Sequence, residues 1–169
     1  KKKYNWNISI IRSDENTNTA GRLLSIKKFI KKNENFYFTY GDGLSNINII
    51  KQLKFYKIHK KACLITGVKH YNKYGIIKEK NNRLIGFDEK KMDRKDMING
   101  GFFILNYKVF DFINSKKESF EKDTIKKLML NKEVCVYKHN DFWQSMDNIR
   151  ERNYLEELWK SNNAPWKNW

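Results

Sequence analysis

The sequence predicts an α/β fold with a mixed sheet, on three observations. Phe36-Tyr37-Phe38-Thr39-Tyr40 is a dense run of β formers, and Ala62 to Val68 is a second apolar run. Between them, about Ile47 to His59, Ile50, Leu53 and Tyr56 recur at helical spacing. Strand, helix, strand in that order predicts parallel strands joined by a crossover. Farther along, Tyr74-Gly75-Ile76-Ile77 and Leu84-Ile85-Gly86-Phe87 flank Asn81-Asn82. That hairpin pattern adds antiparallel pairing.

The other elements follow from the same periodicities. Trp6, Ile8 and Ile10 alternate weakly and predict a first strand over Trp6 to Ile11. Ser13 to Thr19 is polar and predicts a loop, after which Gly21-Arg22-Leu23-Leu24 opens a helix through about Lys32. Ile98 to Leu105 reads as a strand. Helices are expected near Lys108 to Ile113 and Glu121 to Leu130, the latter carrying Ile125, Leu128 and Met129 on one face. A late strand at Val134 to Tyr137 and a last helix at Asn148 to Trp159 complete the chain. No internal repeat or low-complexity linker divides it, so residues 1–169 are expected to form one domain.

Composition narrows the class. At 169 residues, 40% hydrophobic and 15% aromatic, the chain can bury a core and is not a disordered segment. No run approaches the 18 or more apolar residues of a membrane span, and no signal-peptide pattern opens the chain. Cys63 and Cys135 each sit in an apolar run, which predicts two reduced, buried thiols and a cytoplasmic location. The formal net charge of +16 raises a nucleic-acid surface as one class of function. Against it, the lysines are spread along the chain and arginine, the residue of bidentate phosphate and guanine contacts, is scarce. Neither nucleic acid nor membrane is the expected partner.

Several residues could carry chemistry. Asp42 follows the strand Phe36 to Tyr40 directly and is flanked by Gly41 and Gly43. Ligands of open α/β sheets bind beyond the carboxyl ends of strands, and glycines let a backbone approach a ligand closely. An ordinary Gly-Asp-Gly turn is the other reading. Asp147 ends Phe142-Trp143-Gln144-Ser145-Met146-Asp147 just before the last helix, where an acid can simply be the N-cap. Asn99-Gly100-Gly101 opens a strand that consecutive glycines weaken, which fits either a sugar ring approaching the backbone or a bulge. Trp143 fits a sugar face or the core. His59, His70 and His139 have no Asp or Ser partner at a familiar spacing and receive no role.

These segments together resemble the glucose-1-phosphate cytidylyltransferase group of the sugar nucleotidyltransferase family. The resemblance rests on Tyr40-Gly41-Asp42-Gly43, on Met97-Ile98-Asn99-Gly100-Gly101-Phe102-Phe103, on Phe142 to Asp147, on Leu155-Glu156-Glu157-Leu158-Trp159 and on Ala164-Pro165-Trp166-Lys167-Asn168-Trp169. It implies a Rossmann-like mixed sheet, Mg²⁺ as cofactor, CTP and glucose 1-phosphate as substrates, and a homo-oligomer when full length. It also implies that the chain is N-terminally truncated. The family's opening G-G-x-G-T-R-L loop, which holds the triphosphate, does not occur here, so residues 1–169 correspond to the C-terminal two thirds of one nucleotidyltransferase domain and are expected to be inactive on their own.

The resemblance further implies residue roles. Asp42 and Asp147 would bind one Mg²⁺ between them. Thr17, Arg22 and Gly41 would contact the nucleotide, with Thr19-Ala20-Gly21-Arg22-Leu23 standing where the family has T-G-G-R-L. Glu89 and Lys90 match its F-x-E-K-P segment and would hold the sugar phosphate, although Lys91 replaces the proline. Asn99, Gly100 and Trp143 would face the sugar. The implied reaction is in-line attack of a sugar-phosphate oxygen on the α-phosphorus of CTP, giving CDP-glucose and pyrophosphate. Other expectations stay open: a different sugar 1-phosphate, a non-catalytic remnant, or a basic nucleic-acid-binding module.

Overall fold

A computed structural model describes residues 5–69, 76–80, 83–88 and 97–168. It is α/β with a mixed sheet, as the element order predicts. In chain order the strands are β1 (Asn35–Thr39), β2 (Gly43–Ser45), β3 (Cys63–Val68), β4 (Ile76–Lys80), β5 (Arg83–Asp88), β6 (Ile98–Asn106), β7 (Val134–His139) and β8 (Trp143–Ser145). The α-helices are α1 (Thr19–Ser25), α2 (Ile49–His59), α3 (Ile125–Leu130) and α4 (Ile149–Lys160). A four-stranded sheet runs β1-β6-β3-β7, and two small antiparallel sheets pair β2 with β8 and β4 with β5.

The crossover expectation needs one correction. The runs at 36–40 and 62–68 are not neighbours, because β6 lies between them. The reason is burial. Phe103, Ile104 and Leu105 of β6 are each no more than 1% exposed, so this strand takes the sheet interior and covers both faces. The predicted hairpin is present as β4–β5, in antiparallel register from Ile76↔Asp88 to Lys80↔Arg83.

The predicted strand at Trp6 to Ile11 does not form. Trp6, Ile8 and Ile10 are 73%, 75% and 89% exposed, and no described sheet contains them. Alternation makes a strand only when one face is buried, and here neither is. The helix expected at Gly21 to Lys32 is shorter. Asn18 caps α1 through its side chain, and after Ile26 the chain passes into a 3₁₀ turn at Lys27–Phe29. Lys108 to Ile113 is a 3₁₀ helix at Tyr107–Phe112, and the helix expected from Glu121 opens with a π turn at Phe120–Thr124 before α3.

Two compact units can be described in the chain. The first comprises residues up to Phe36, Lys61–Cys63 and Leu105–Val134. Its core gathers Ala20, Leu23, Val109, Phe110, Phe120 and Leu128, all at or below 2% exposure. Gly21 lies where a Cβ would sit 2.2 Å from the Lys116 carbonyl oxygen, so α1 packs by its backbone. The Lys127 ammonium reaches both Glu118 oxygens at 2.9 Å.

Glu133 links three segments of this unit. Its carboxylate accepts from Lys108 Nζ at 2.7 Å and from the Ala62 N–H at 3.0 Å. The Lys108 hydrogen bond, above all, holds its pKa below the ordinary carboxylate value of 4.5. A carboxyl whose folded pKa is lowered contributes stability that is present above the unfolded value and is lost as pH falls through the folded one. Acid titration should therefore show a stability loss below about pH 4.5 that Glu133→Gln reduces, read as the pH dependence of the urea midpoint. Equal pH profiles for the two proteins would contradict this.

The second unit comprises Tyr37–Lys60, Leu64–Ile104 and Cys135–Trp169. Leu64, Tyr56 and Ile104 form its centre, with Leu53, Phe55, Cys135 and Tyr137 against them. Gln52 of α2 is buried and donates to Thr66 Oγ1 at 2.6 Å, which satisfies both groups. Cys63 is buried and Cys135 half-buried, and neither is in a disulfide among the described residues. Among the described residues, no helix is long and apolar enough to cross a membrane.

Candidate functional site

The site is built on the end of β1 and the short ribbon β2–β8 of the second unit. β1 delivers Tyr40, whose N–H donates to the Gly101 carbonyl at 3.0 Å. The chain then turns through Gly41-Asp42 into β2. The ribbon register is Gly43↔Ser145, Leu44↔Gln144 and Ser45↔Trp143. One residue beyond it, the Met146 N–H donates to the Asp42 carbonyl at 2.8 Å. Asp42 and Asp147, far apart in sequence, thus leave the same end of one ribbon. Both are exposed.

Asp147 is not the helix cap. Asn148 fills that position, its side-chain oxygen accepting from the Glu151 N–H at 3.1 Å. Glu151 returns the contact one residue upstream, accepting from the Asp147 N–H at 2.9 Å. This is a capping box displaced by one residue. It fixes the Asp147 backbone while leaving the carboxylate clear of the cap. Glu151 is only 9% exposed and was missed in the sequence, although Asn148-Ile149-Arg150-Glu151 carries the capping spacing.

The glycines divide by cause. A Cβ on Gly100 would lie 2.6 Å from Val68 Cγ1, and one on Gly101 would lie 2.8 Å from Tyr40 Cδ2. Gly101 also has φ +74°, in the left-handed region. Packing therefore accounts for this pair. Gly41 differs: nothing lies within 4 Å of its Cβ position and its φ is not positive. Space beside Asp42 is open at Gly41.

Trp143 is half-buried, and its indole N–H donates to the Gly100 carbonyl at 2.8 Å. Asn99 is exposed; its Oδ1 accepts from the Gly101 N–H at 2.9 Å, and its Nδ2 lies 3.5 Å from the Tyr40 hydroxyl. Gly41, Asp42, Asn99, Gly100, Trp143 and Asp147 all belong to the second unit. Glu89 and Lys90 lie outside the described residues.

Thr17 and Arg22 belong to the first unit. Thr17 is 5% exposed and its carbonyl accepts from Arg22 Nε at 3.3 Å. With Glu15, Asn16, Asn18 and Lys117 they line an open cavity of about 610 Å³. Its wall is polar and carries two cations, Arg22 and Lys117, beside one acid, Glu15.

His139, without a partner at any recognisable sequence spacing, meets one in the fold. It is 8% exposed, and its Nε2 lies 3.2 Å from Ser45 Oγ. The two are 94 residues apart in sequence, so no local spacing signals the pair. Asp141 beside it accepts from the Phe142 N–H and from the Asn46 side chain, which together hold its carboxyl below the ordinary range.

Two carboxylates at the end of a ribbon, with open space at Gly41, make an oxygen-donor set that fits a hard divalent cation such as Mg²⁺. Among the described residues, no group of three or more His, Cys, Asp or Glu gathers as a closed metal cage. A set that leaves most of the coordination shell to water and ligand oxygens is the usual form for Mg²⁺.

The chain is 35% identical over 164 residues to the glucose-1-phosphate cytidylyltransferase of Salmonella typhimurium, covering 97% of this chain and 64% of that protein. It is 31% identical over 153 residues to mannose-1-phosphate guanyltransferase 2 of Candida glabrata, covering 86% of this chain and 42% of that protein. The chain therefore spans less than two thirds of the length of these relatives. The fold matches the crystal structure of HddC from Yersinia pseudotuberculosis with a TM-score of 0.66 at 20% identity, over 92% of this chain and 68% of that one. A model of the Nucleotidyl transferase family matches residues 1–157, and the chain belongs to that family.

Proposed function

We propose that this chain serves transfer of a cytidylyl group from CTP to α-D-glucose 1-phosphate, giving CDP-glucose and pyrophosphate. The observation that carries the reading is the ribbon register, in which Met146 N–H meets the Asp42 carbonyl and both acids leave one end. Similarity to the Salmonella typhimurium cytidylyltransferase supports the choice of base and sugar.

Asp42 and Asp147 hold Mg²⁺ in this reading. When bound, Mg²⁺ supplies charge neutralisation on the phosphates. The chain's own residues bind and orient. Gly41 leaves room for phosphate oxygens beside Asp42. Asn99 offers its amide to sugar hydroxyls, Gly100 supplies the carbonyl that anchors Trp143, and Trp143 presents an indole edge to the sugar side. Thr17 and Arg22 bind the nucleotide, and Glu89 and Lys90 the sugar phosphate. The attacking phosphate oxygen is anionic at neutral pH, so no general base is needed and positioning dominates. The full-length protein acts as a homo-oligomer in the cytoplasm.

The test is pyrophosphate release and CDP-glucose formation with CTP, glucose 1-phosphate and Mg²⁺, against GTP and mannose 1-phosphate as alternatives. Product with CTP and glucose 1-phosphate is expected from the full-length protein, and little or none from residues 1–169 alone. Preference for GTP and mannose 1-phosphate would replace the substrate pair with that of the guanyltransferase relatives.

A further inference from the structure

The Phe142 carbonyl, at the entrance to β8, accepts from three donors: Ser45 Oγ at 2.8 Å, His139 Nε2 at 3.0 Å and the Asn46 N–H at 3.3 Å. The carbonyl can only accept, so Nε2 carries a hydrogen and the Ser45 proton is committed to the same oxygen. The pair is therefore not a nucleophile with its base. On its other side, the Phe142 N–H donates to Asp141 Oδ1 at 2.8 Å, and Asn46 reaches the same carboxylate through its side chain. Both backbone polar groups of Phe142 are thus fixed by side chains.

What lies immediately downstream gives the arrangement its consequence. The β2–β8 ribbon consists of three residue pairs. A two-stranded ribbon of that length is not stable unaided, and a slip of one residue turns every side chain to the opposite face. A slip here would break the Met146–Asp42 hydrogen bond and re-aim Asp147. We propose that Ser45 and His139 form a register clamp: positioning residues that lock β8 against β2 and thereby hold Asp147 in register with Asp42 to share a divalent cation. The cation part rests on the function proposed above; the register part does not.

Two substitutions and two readouts separate these parts, using the chain and Mn²⁺ as the probe. His139→Leu keeps bulk and removes the donor; His139→Gln restores a donor in the Nε2 position. In His139→Leu, amide exchange at Met146 is expected to quicken about tenfold or more and Mn²⁺ affinity to fall about tenfold, the usual scale for loss of an outer support of a metal site. The Gln52 amide, bonded to the Asn48 carbonyl in α2, should not change, and His139→Gln should restore both readouts. Ser45→Ala, which leaves the buried ring in place, should move them in the same direction and serves if His139→Leu fails to fold. Unchanged Met146 exchange in both variants would overturn the clamp, as would equal loosening of Met146 and Gln52. Loosening at Met146 with Mn²⁺ affinity unaffected, there and in Asp42→Asn, would keep the clamp and remove the shared cation.

Discussion

In the full-length protein, Asp42→Asn is expected to lower kcat by about 10²–10³, the scale of losing one preorganised charged group at a transition state. Asparagine keeps the shape and one acceptor oxygen but loses the charge that attracts a hard cation. The fold should not suffer. Asp42 is exposed, and its structural bond, the carbonyl that accepts from Met146, belongs to the backbone. Surface substitutions of that kind stay within about 0.5 kcal/mol of wild type. Steady-state kinetics beside a denaturation curve checks both halves. A variant that keeps its turnover, or that loses activity only by unfolding, would count against Asp42 as a cation ligand.

Gly101→Ala has the largest expected effect on stability in the second unit, about 2–5 kcal/mol. Left-handed backbone costs a residue with a Cβ about 1–2 kcal/mol, and overpacking against a fixed neighbour adds about 1–3 kcal/mol. Both apply, since φ is +74° and the new methyl would meet the Tyr40 ring at 2.8 Å. Tyr40 cannot easily yield. It packs edge-on against Phe103, which is 1% exposed, and against Phe38. Gly41→Ala should by contrast leave the urea midpoint nearly unchanged, because its Cβ position is open. Any loss there should appear in substrate binding. Similar midpoints for the two variants would show that Gly101 is not required by packing.

The contrast between these glycines marks what sequence could and could not reveal. Runs such as Phe36 to Tyr40 and Ala62 to Val68 combine β propensity with burial, so their strands were legible. The order of strands was not, because the insertion of β6 between β1 and β3 depends on pairing over some sixty residues. β2 and β8 have three residues each, too few for any periodicity. Yet this ribbon joins Asp42 to Asp147. The motif resemblance points to both acids as candidates, whereas their placement at one end of this ribbon has no signal in the sequence. At Gly100 and Gly101 the packing of Val68 and Tyr40 leaves no space for a Cβ, a requirement the sequence does not display. Trp6, Ile8 and Ile10 show the converse, a strand pattern with no buried face.

A double-mutant cycle on Mn²⁺ affinity tests the shared cation most directly. Wild type, Asp42→Asn, Asp147→Asn and the double variant are titrated by calorimetry or by loss of the free-ion resonance signal. If both carboxylates hold one ion, wild type binds a single Mn²⁺ at this site. Each single substitution then removes most of that affinity, and the double costs little more than either alone, as coupled neighbours do. Additive losses, or full affinity retained in either single variant, would place the two acids in separate sites and contradict the account.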